Sequence, residues 1–264
     1  MALSIQPGRF GHSGKPDDAW LAKQEKEPIL EPELAIIDTH HHLWDRDGWT
    51  YLLPELLADL NTGHNIIATV FEECRSMYRA HGPVEMRSVG EVEFVAGIAA
   101  HGLTLDAWCY HPQLPDVIAL ARAVPQATIV MCHAGGVLGY GAYAGKKDEI
   151  HAAWRANMAE LATCPNVSVK LGGMLNRGAA LNFRELSAPP NSAAWAAAWR
   201  PYVEPCIELF GAERCNFESN FPVDKMGTGY ATLWNAFKRI TAGCSPTEKL
   251  ALYSGTAKRL YHLH

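Results

Sequence analysis

The sequence predicts an α/β chain wound around one parallel sheet, and three observations predict it. Short apolar runs alternate with longer helical stretches along most of the 264 residues, the pattern of crossover units that lay strands side by side in one direction. The runs are nearly continuous in apolar residues, as in strands buried on both faces. Several of them end abruptly in a histidine or a carboxylate, at the position where parallel sheets carry their sites.

Taken in order, residues 1–33 mix Gly, Pro, Lys and Glu without periodicity and read as an arm lying over the surface. The remaining residues, 34–264, read as one domain without an internal repeat. Leu34 to Asp38 is the first strand, and it runs into His40, His41 and His42. Pro54 opens a short helix to Leu60 that Asn61-Thr62-Gly63 ends. Ile66 to Phe71 is a second strand, closing on Glu72, Glu73, Cys74 and Arg75. Val84 to Ala100 has helical spacing, with Val89, Val92, Val95 and Ala96 on one side. Leu103 to Cys109 is a third strand ending on Tyr110 and His111, and Pro115 starts a helix that Pro125 stops. Ala127 to Cys132 is a fourth strand ending on His133, and a helix spans Lys146 to Ala162. Val167 to Leu171 is a fifth strand, followed by Gly172-Gly173. The Trp- and Ala-rich region 187–210 reads as helical but broken by Pro201 and Pro205. Arg214 to Glu218 is a sixth strand, a helix covers Thr232 to Ile240, and Ser245 with Glu248 forms a capping box for a last helix to Leu260.

The totals exclude several classes. An apolar fraction of 48% and a charged fraction of 19% are those of a folded globular chain. A net charge of −5 argues against a nucleic-acid partner. No apolar run approaches a membrane span, and Met1 to Pro32 has no apolar signal core, so the expected location is the cytoplasm. Seven cysteines, an odd number without a C-x-x-C, argue against a disulfide framework or a structural zinc knot.

The histidines carry the chemistry. Side chains alternate along a strand, so His40 and His42 share one face and His41 takes the other. Two imidazoles on one face can grip a divalent metal or an anionic substrate; an exposed polar turn is the alternative reading. If the strands close into a parallel barrel, His40, His42, His111, His133 and Glu218 meet at one rim. Arg75, Tyr78 and Arg79 follow the second strand, where guanidinium groups could hold a substrate carboxylate in a bidentate grip. Tyr110 could donate to a carbonyl oxygen. Gly135 to Gly141 could offer backbone N–H groups to an anion but does not match a dinucleotide fingerprint. Lys170 is expected to snorkel to the surface, with an electrostatic partner role as the alternative. Trp195 and Trp199 are expected to pack within a helix. No G-x-S-x-G elbow supports an acyl-enzyme route.

The segments Ile37-Asp-Thr-His-His-His-Leu-Trp-Asp45, Tyr110-His-Pro-Gln-Leu114, Cys132-His-Ala-Gly-Gly136, Val169-Lys-Leu-Gly-Gly173 and Glu218-Ser-Asn-Phe-Pro222 together resemble the amidohydrolase superfamily. The branch is the one that contains pyrone dicarboxylate lactonase and sugar-acid lactonases such as fuconolactonase. The likeness runs from about Leu34 to the C-terminus, with the motifs in the family's order. It implies a TIM-barrel (β/α)8-type fold and hydrolysis of a lactone or related bond in a small carboxylate-bearing substrate. It also implies one divalent metal, zinc first, although some relatives work without any. By position, His40 and His42 match the family's H-x-H, and His133 matches the histidine after its sixth strand. Together with Glu218 they are the expected metal ligands.

Two departures bear on that expectation. Asn220 stands where the family usually has an aspartate, and an amide cannot act as a base. Glu218, on the same strand face, and Asp224, four residues later, are the candidate replacements beside Asn220 itself. The second departure is the strand count. Six strands are recognisable, and the family's third and fourth have no counterpart between Ala100 and His101. The barrel is therefore expected to be opened, or a segment is missing, and an open edge would invite assembly into a homo-oligomer. Two other functions stay open: a metal-dependent decarboxylase of the same superfamily, which needs no water-activating base, and a non-catalytic truncated barrel that binds a ligand or assembles.

Overall fold

The computed structural model describes residues 15–46, 48–72, 104–175 and 183–263. The expected helix at 84–100 lies outside them. Eight strands are present among these residues. They are β1 (Ile36–His41), β2 (Trp44–Arg46), β3 (Trp49–Tyr51), β4 (Ile66–Phe71), β5 (Thr104–Ala107), β6 (Thr128–Met131), β7 (Val167–Leu171) and β8 (Cys215–Phe217). Their helical partners are α1 (Asp18–Leu21), α2 (Leu53–Leu60), α3 (Leu114–Ala123), α4 (Lys147–Ala162), α5 (Ser192–Phe210) and α6 (Tyr230–Ile240), then α7 (Pro246–Leu250) and α8 (Thr256–Leu260) with a π-turn at Ala251–Gly255 between them.

The six strands foreseen from the apolar runs are β1, β4, β5, β6, β7 and β8. They are parallel and laid out in winding order: β1 pairs with β4, and β5, β6, β7 and β8 follow one another. The two groups join where the chain leaving β8 returns to β1. His41 bridges Phe221, His42 N–H donates to Phe221 O at 2.8 Å, and Asn220 N–H donates to His40 O at 2.9 Å. The result is a (β/α)8-type barrel wall, opened between β4 and β5, whose facing edges pair with no strand among the described residues. The antiparallel hairpin β2–β3 has no forecast in the sequence, because six residues are too few for a periodicity.

The core explains the apolar runs. Val167, Val169 and Leu171 of β7 are buried with Ile129 and Met131 of β6 and with Trp154, Met158 and Leu161 of α4. Trp195 and Trp199 stack within the core at 5.0 Å between ring centroids, as their spacing in a helix predicts.

One expectation is corrected here. The region 187–210 is not broken at its prolines: α5 runs unbroken through Pro201 and Pro205. Pro205 lacks the N–H that would pair with Pro201 O four residues back. His151 Nε2 from α4 donates to that carbonyl at 2.9 Å instead, so it is not orphaned. The arm is tied down along residues 20–31. Trp20 Nε1 donates to Leu186 O at 2.9 Å, Asn235 bonds both Leu30 N and Pro28 O, and Lys238 Nζ donates to Leu30 O and Glu31 O. Polar side chains gripping backbone leave no periodic trace in a sequence.

Lys238 has a third acceptor, His64 Nδ1 at 2.9 Å, while His64 Nε2 donates to Ala231 O at 3.0 Å. The ring is therefore neutral, and burial with the nearby ammonium lowers its pKa to about 4. The unfolded ring titrates near 6.5, so its contribution to stability is present above about pH 6.5 and is lost as pH falls toward about 4. We expect His64→Gln to flatten the acid limb of a stability-against-pH curve by about 2–3 kcal/mol across that window. Urea melts at pH 7.5, 6 and 4.5 would show it. A variant curve parallel to wild type would contradict it.

Candidate active site

The rim at the carboxyl ends of the strands gathers three imidazoles around one carboxylate. His40 lies next to the end of the fully buried β1 and His42 follows it by two residues, so their rings emerge on one side, Nε2 facing Nε2 at 3.0 Å. His41 turns the other way and meets Thr69 Oγ1 at 3.1 Å. His133 leaves β6 on a sharp turn, and its ring lies 4.7 Å from that of His40 between centroids. Glu218 follows β8 and is fully buried between them. Its Oε1 accepts from the His133 backbone N–H at 2.9 Å and from His133 Nδ1 at 2.6 Å, and its Oε2 is 3.1 Å from His40 Nδ1. Ligand atoms of His40, His133 and Glu218 all lie within 4.8 Å of one another, a group that could hold a metal ion.

Burial alone would push the Glu218 carboxyl up, but the imidazoles of His133 and His40 outweigh it and hold it well below the usual carboxylate range. Burial holds His40 well below the usual histidine value and His42 at about 4. Neutral rings beside an ionised carboxylate suit metal ligation, because a protonated imidazole has no lone pair to give.

The His133 ring sits where a glycine permits it. A Cβ on Gly173, in the loop after β7, would lie 2.0 Å from His133 Nδ1, and Gly173 has φ +59°. The Gly172-Gly173 step is thus the floor beneath the imidazole. Around the rim, Trp44 stacks on His42 with centroids 5.7 Å apart, and half-exposed Trp108 meets His133 edge-on at 5.0 Å.

Other expected residues are placed as follows. Asn220 Nδ2 donates to Asp224 Oδ1 at 2.9 Å, and both are buried. Tyr110 flanks the site only through Trp108, with ring centroids 5.0 Å apart. His111 is engaged elsewhere: its Nδ1 accepts from Leu138 N–H at 3.2 Å and its ring meets Tyr143. Arg75, Tyr78 and Arg79 lie outside the described residues.

Lys170 is a correction. It does not snorkel; it is fully buried inside the barrel, where its ammonium reaches Thr39 O at 2.6 Å, Glu72 Oε1 at 2.7 Å and Asp106 Oδ2 at 3.4 Å. Tyr261 OH donates to the other Asp106 oxygen at 2.8 Å. Burial would lower the Lys170 pKa, but the acidic groups around it, Tyr261 and Asp106 foremost, hold it well above its usual value. Burial, opposed by Lys170 and aided by Asp106, pushes Glu72 up to about 8. Sequence reasoning missed this cluster. Its signal was a lysine inside an otherwise apolar strand, with carboxylates at the ends of two others.

With this geometry in hand, comparison with known proteins places the chain. The amidohydrolase family profile matches residues 76–263. The chain belongs to the amidohydrolase family. The matched span includes His133, Glu218, Asn220 and Asp224, while His40 and His42 precede it. An uncharacterised protein of Sinorhizobium fredii is 37% identical over 63% of the chain and 49% of its own length. An L-fucono-1,5-lactonase of Burkholderia multivorans is 29% identical over 66% of the chain and 57% of its own length. The chain thus spans about half the length of the curated relatives it matches. Among solved structures, a zinc-bound amidohydrolase of Burkholderia multivorans aligns with a TM-score of 0.68 at 22% identity, covering 87% of this chain and 100% of that one. A 2-pyrone-4,6-dicarboxylic acid hydrolase, so titled as putative, from Pseudomonas putida aligns with a TM-score of 0.56 at 17% identity, over 87% and 98%. The expected superfamily and its opened-barrel fold are therefore observed.

Two outcomes test the geometry of this amidohydrolase. Gly173→Ala is expected to cost about 1–3 kcal/mol from overpacking alone and to displace His133 from Glu218. Urea unfolding reads the first, and loss of the downfield proton resonance of the His133 Nδ1–H bond reads the second; an unshifted resonance would show that the floor yields. Lys170→Met, which strands the acid pair, is expected to lose about 3–5 kcal/mol, and adding Asp106→Asn should recover part of that. No recovery in the double variant would mean that packing, not charge, is what Lys170 supplies.

Proposed function

We propose that this amidohydrolase opens the lactone ring of a small carboxylate-bearing substrate, using His40, His42 and His133 to engage the carbonyl and water to cleave the ester bond. The observation that carries the reading is the convergence of three imidazoles from two distant strands on one point of the rim, backed by a buried carboxylate. The similarity to L-fucono-1,5-lactonases supports lactones as the substrate class.

The residues fit a divalent metal. His42 Nδ1 faces the Glu72 carbonyl oxygen at 2.9 Å, which only accepts, so its Nε2 bears a lone pair. With the His40 proton on Nδ1, facing Glu218, Nε2 of both rings is left unprotonated, and the two nitrogens lie 3.0 Å apart, within reach of one shared cation. His40, His42 and His133 would hold the ion, and three neutral imidazoles suit zinc among the common divalent metals. Bound there, it would polarise the carbonyl and lower the pKa of water toward ~7.

The chain's own groups do the rest. Trp44 and Trp108 wall the rim and limit the access of bulk water. Asn220, tied to the His40 backbone, presents its amide to Asp224, and Asp224 is the carboxylate we assign to take the proton of the attacking water. Asn220 also keeps decarboxylation open, since that reaction needs no base at this position. Carbon dioxide release would separate it from acid release by a lactonase.

The test is metal analysis with kinetics on a panel of sugar-acid and pyrone lactones. His40→Ala and His133→Ala are each expected to lose at least 10²-fold in kcat/KM, and Asp224→Asn to lose kcat with little change in KM. Full activity in both histidine variants would overturn the proposal.

A further inference from the structure

We infer that Glu218 is a positioning residue that sets the tautomers of two imidazoles at once, standing behind the ligand set instead of within it. The inference rests on the reading of His40, His42 and His133 as that set, and it replaces the ligand and base roles expected for Glu218 from the sequence.

Each oxygen of Glu218 faces an imidazole nitrogen. Oε1 accepts twice from one residue, the backbone N–H and the ring Nδ1 of His133. Oε2 lies 3.1 Å from His40 Nδ1, an ion-pair distance, and neither atom is hydrogen-bonded to any group among the described residues. The carboxylate is completely buried and offers nothing to a water molecule in the mouth. An ionised carboxylate can only accept, so a proton belongs on Nδ1 of both rings. That leaves Nε2 of both rings to turn away from Glu218 with its lone pair exposed to the rim. His42 reaches the same tautomer through the Glu72 carbonyl oxygen. Three rings from two strands are thereby set alike, two of them by one side chain. Outer carboxylates that hold a ligating histidine by its second nitrogen fix the ring and raise its basicity. Here one carboxylate serves two rings, and it stands two residues before Asn220 in the segment that follows β8. The chain has no carboxylate at 220, and the one at 218 acts through the histidines.

Glu218→Gln tests this. The two N–H contacts of the His133 side require the amide oxygen to stay at Oε1, so the NH2 group faces His40 Nδ1. The His40 proton must then move to Nε2, where it points at His42. In ¹⁵N–¹H spectra of the metal-free proteins, wild type should show protonated Nδ1 on His40 and His133, and the variant should show it on His133 only. Affinity for Zn²⁺ or Co²⁺, read by titration calorimetry and the visible spectrum of bound Co²⁺, should fall about 10–100-fold. An unprotonated Nδ1 on either ring in wild type overturns the inference, and that measurement needs no variant. So does a variant that loses the metal while His40 keeps its tautomer, because that marks Glu218 as a ligand. If wild type binds neither ion, the metal reading fails, while the tautomer assignment is still decided by the spectra.

Discussion

The return of the chain from β8 onto β1 is the contact on which the site depends. Two backbone hydrogen bonds and one bridge join His40, His41 and His42 to Asn220 and Phe221, residues about 180 positions apart in the chain. Without that seam β1 and β4 would be an isolated pair, and the H-x-H would face solvent. With it, Glu218 lies between His40 and His133, and a short-range motif becomes a long-range constellation. Backbone hydrogen bonds are well suited to this task, because they fix register and direction whatever side chains the strands carry.

The opened wall raises a second constraint, which Lys170 meets. β4 and β5 end in Glu72 and carry Asp106, and one buried ammonium from β7, on the far side of the interior, reaches both. It also holds Thr39 O on β1. An ion cluster of this kind is costly to bury and unforgiving of displacement. It therefore specifies spacing: the two edges cannot drift apart without stripping a charge of its partner. Ladder hydrogen bonds do this in a closed barrel, and here a salt-bridged strut does it across the interior.

Much of this was legible in the sequence, and the failures have physical causes. Val167–Leu171 matches a strand buried along its whole length, whereas Ile66–Phe71 matches a strand at the opened edge, where Ile67 and Phe71 are exposed and the apolar run does not mark burial on both faces. The helix after Asn191 was misread as broken because proline propensity is local, whereas His151, which satisfies the freed carbonyl, is about 50 residues away. Lys170 was misplaced for the same reason: its partners sit on three other strands. The shared face of His40 and His42 follows from strand alternation, but that Glu218 spans His40 and His133 does not follow from any spacing. The sequence could name the participants at the rim; only the fold shows which nitrogen each one turns inward.

The loop that carries His133 has a consequence for how this protein could be reshaped. His133, Ala134, Gly135 and Gly136 have φ of 58°, 49°, 75° and 60°, four successive left-handed residues, and a Cβ on Gly136 would come within 2.1 Å of the Cys109 carbonyl oxygen. Bulky or branched side chains pay heavily in that region of backbone space. A library that randomises these four codons would consist almost wholly of misfolded clones, because nearly every side chain it introduces would disturb the bend that aims the imidazole.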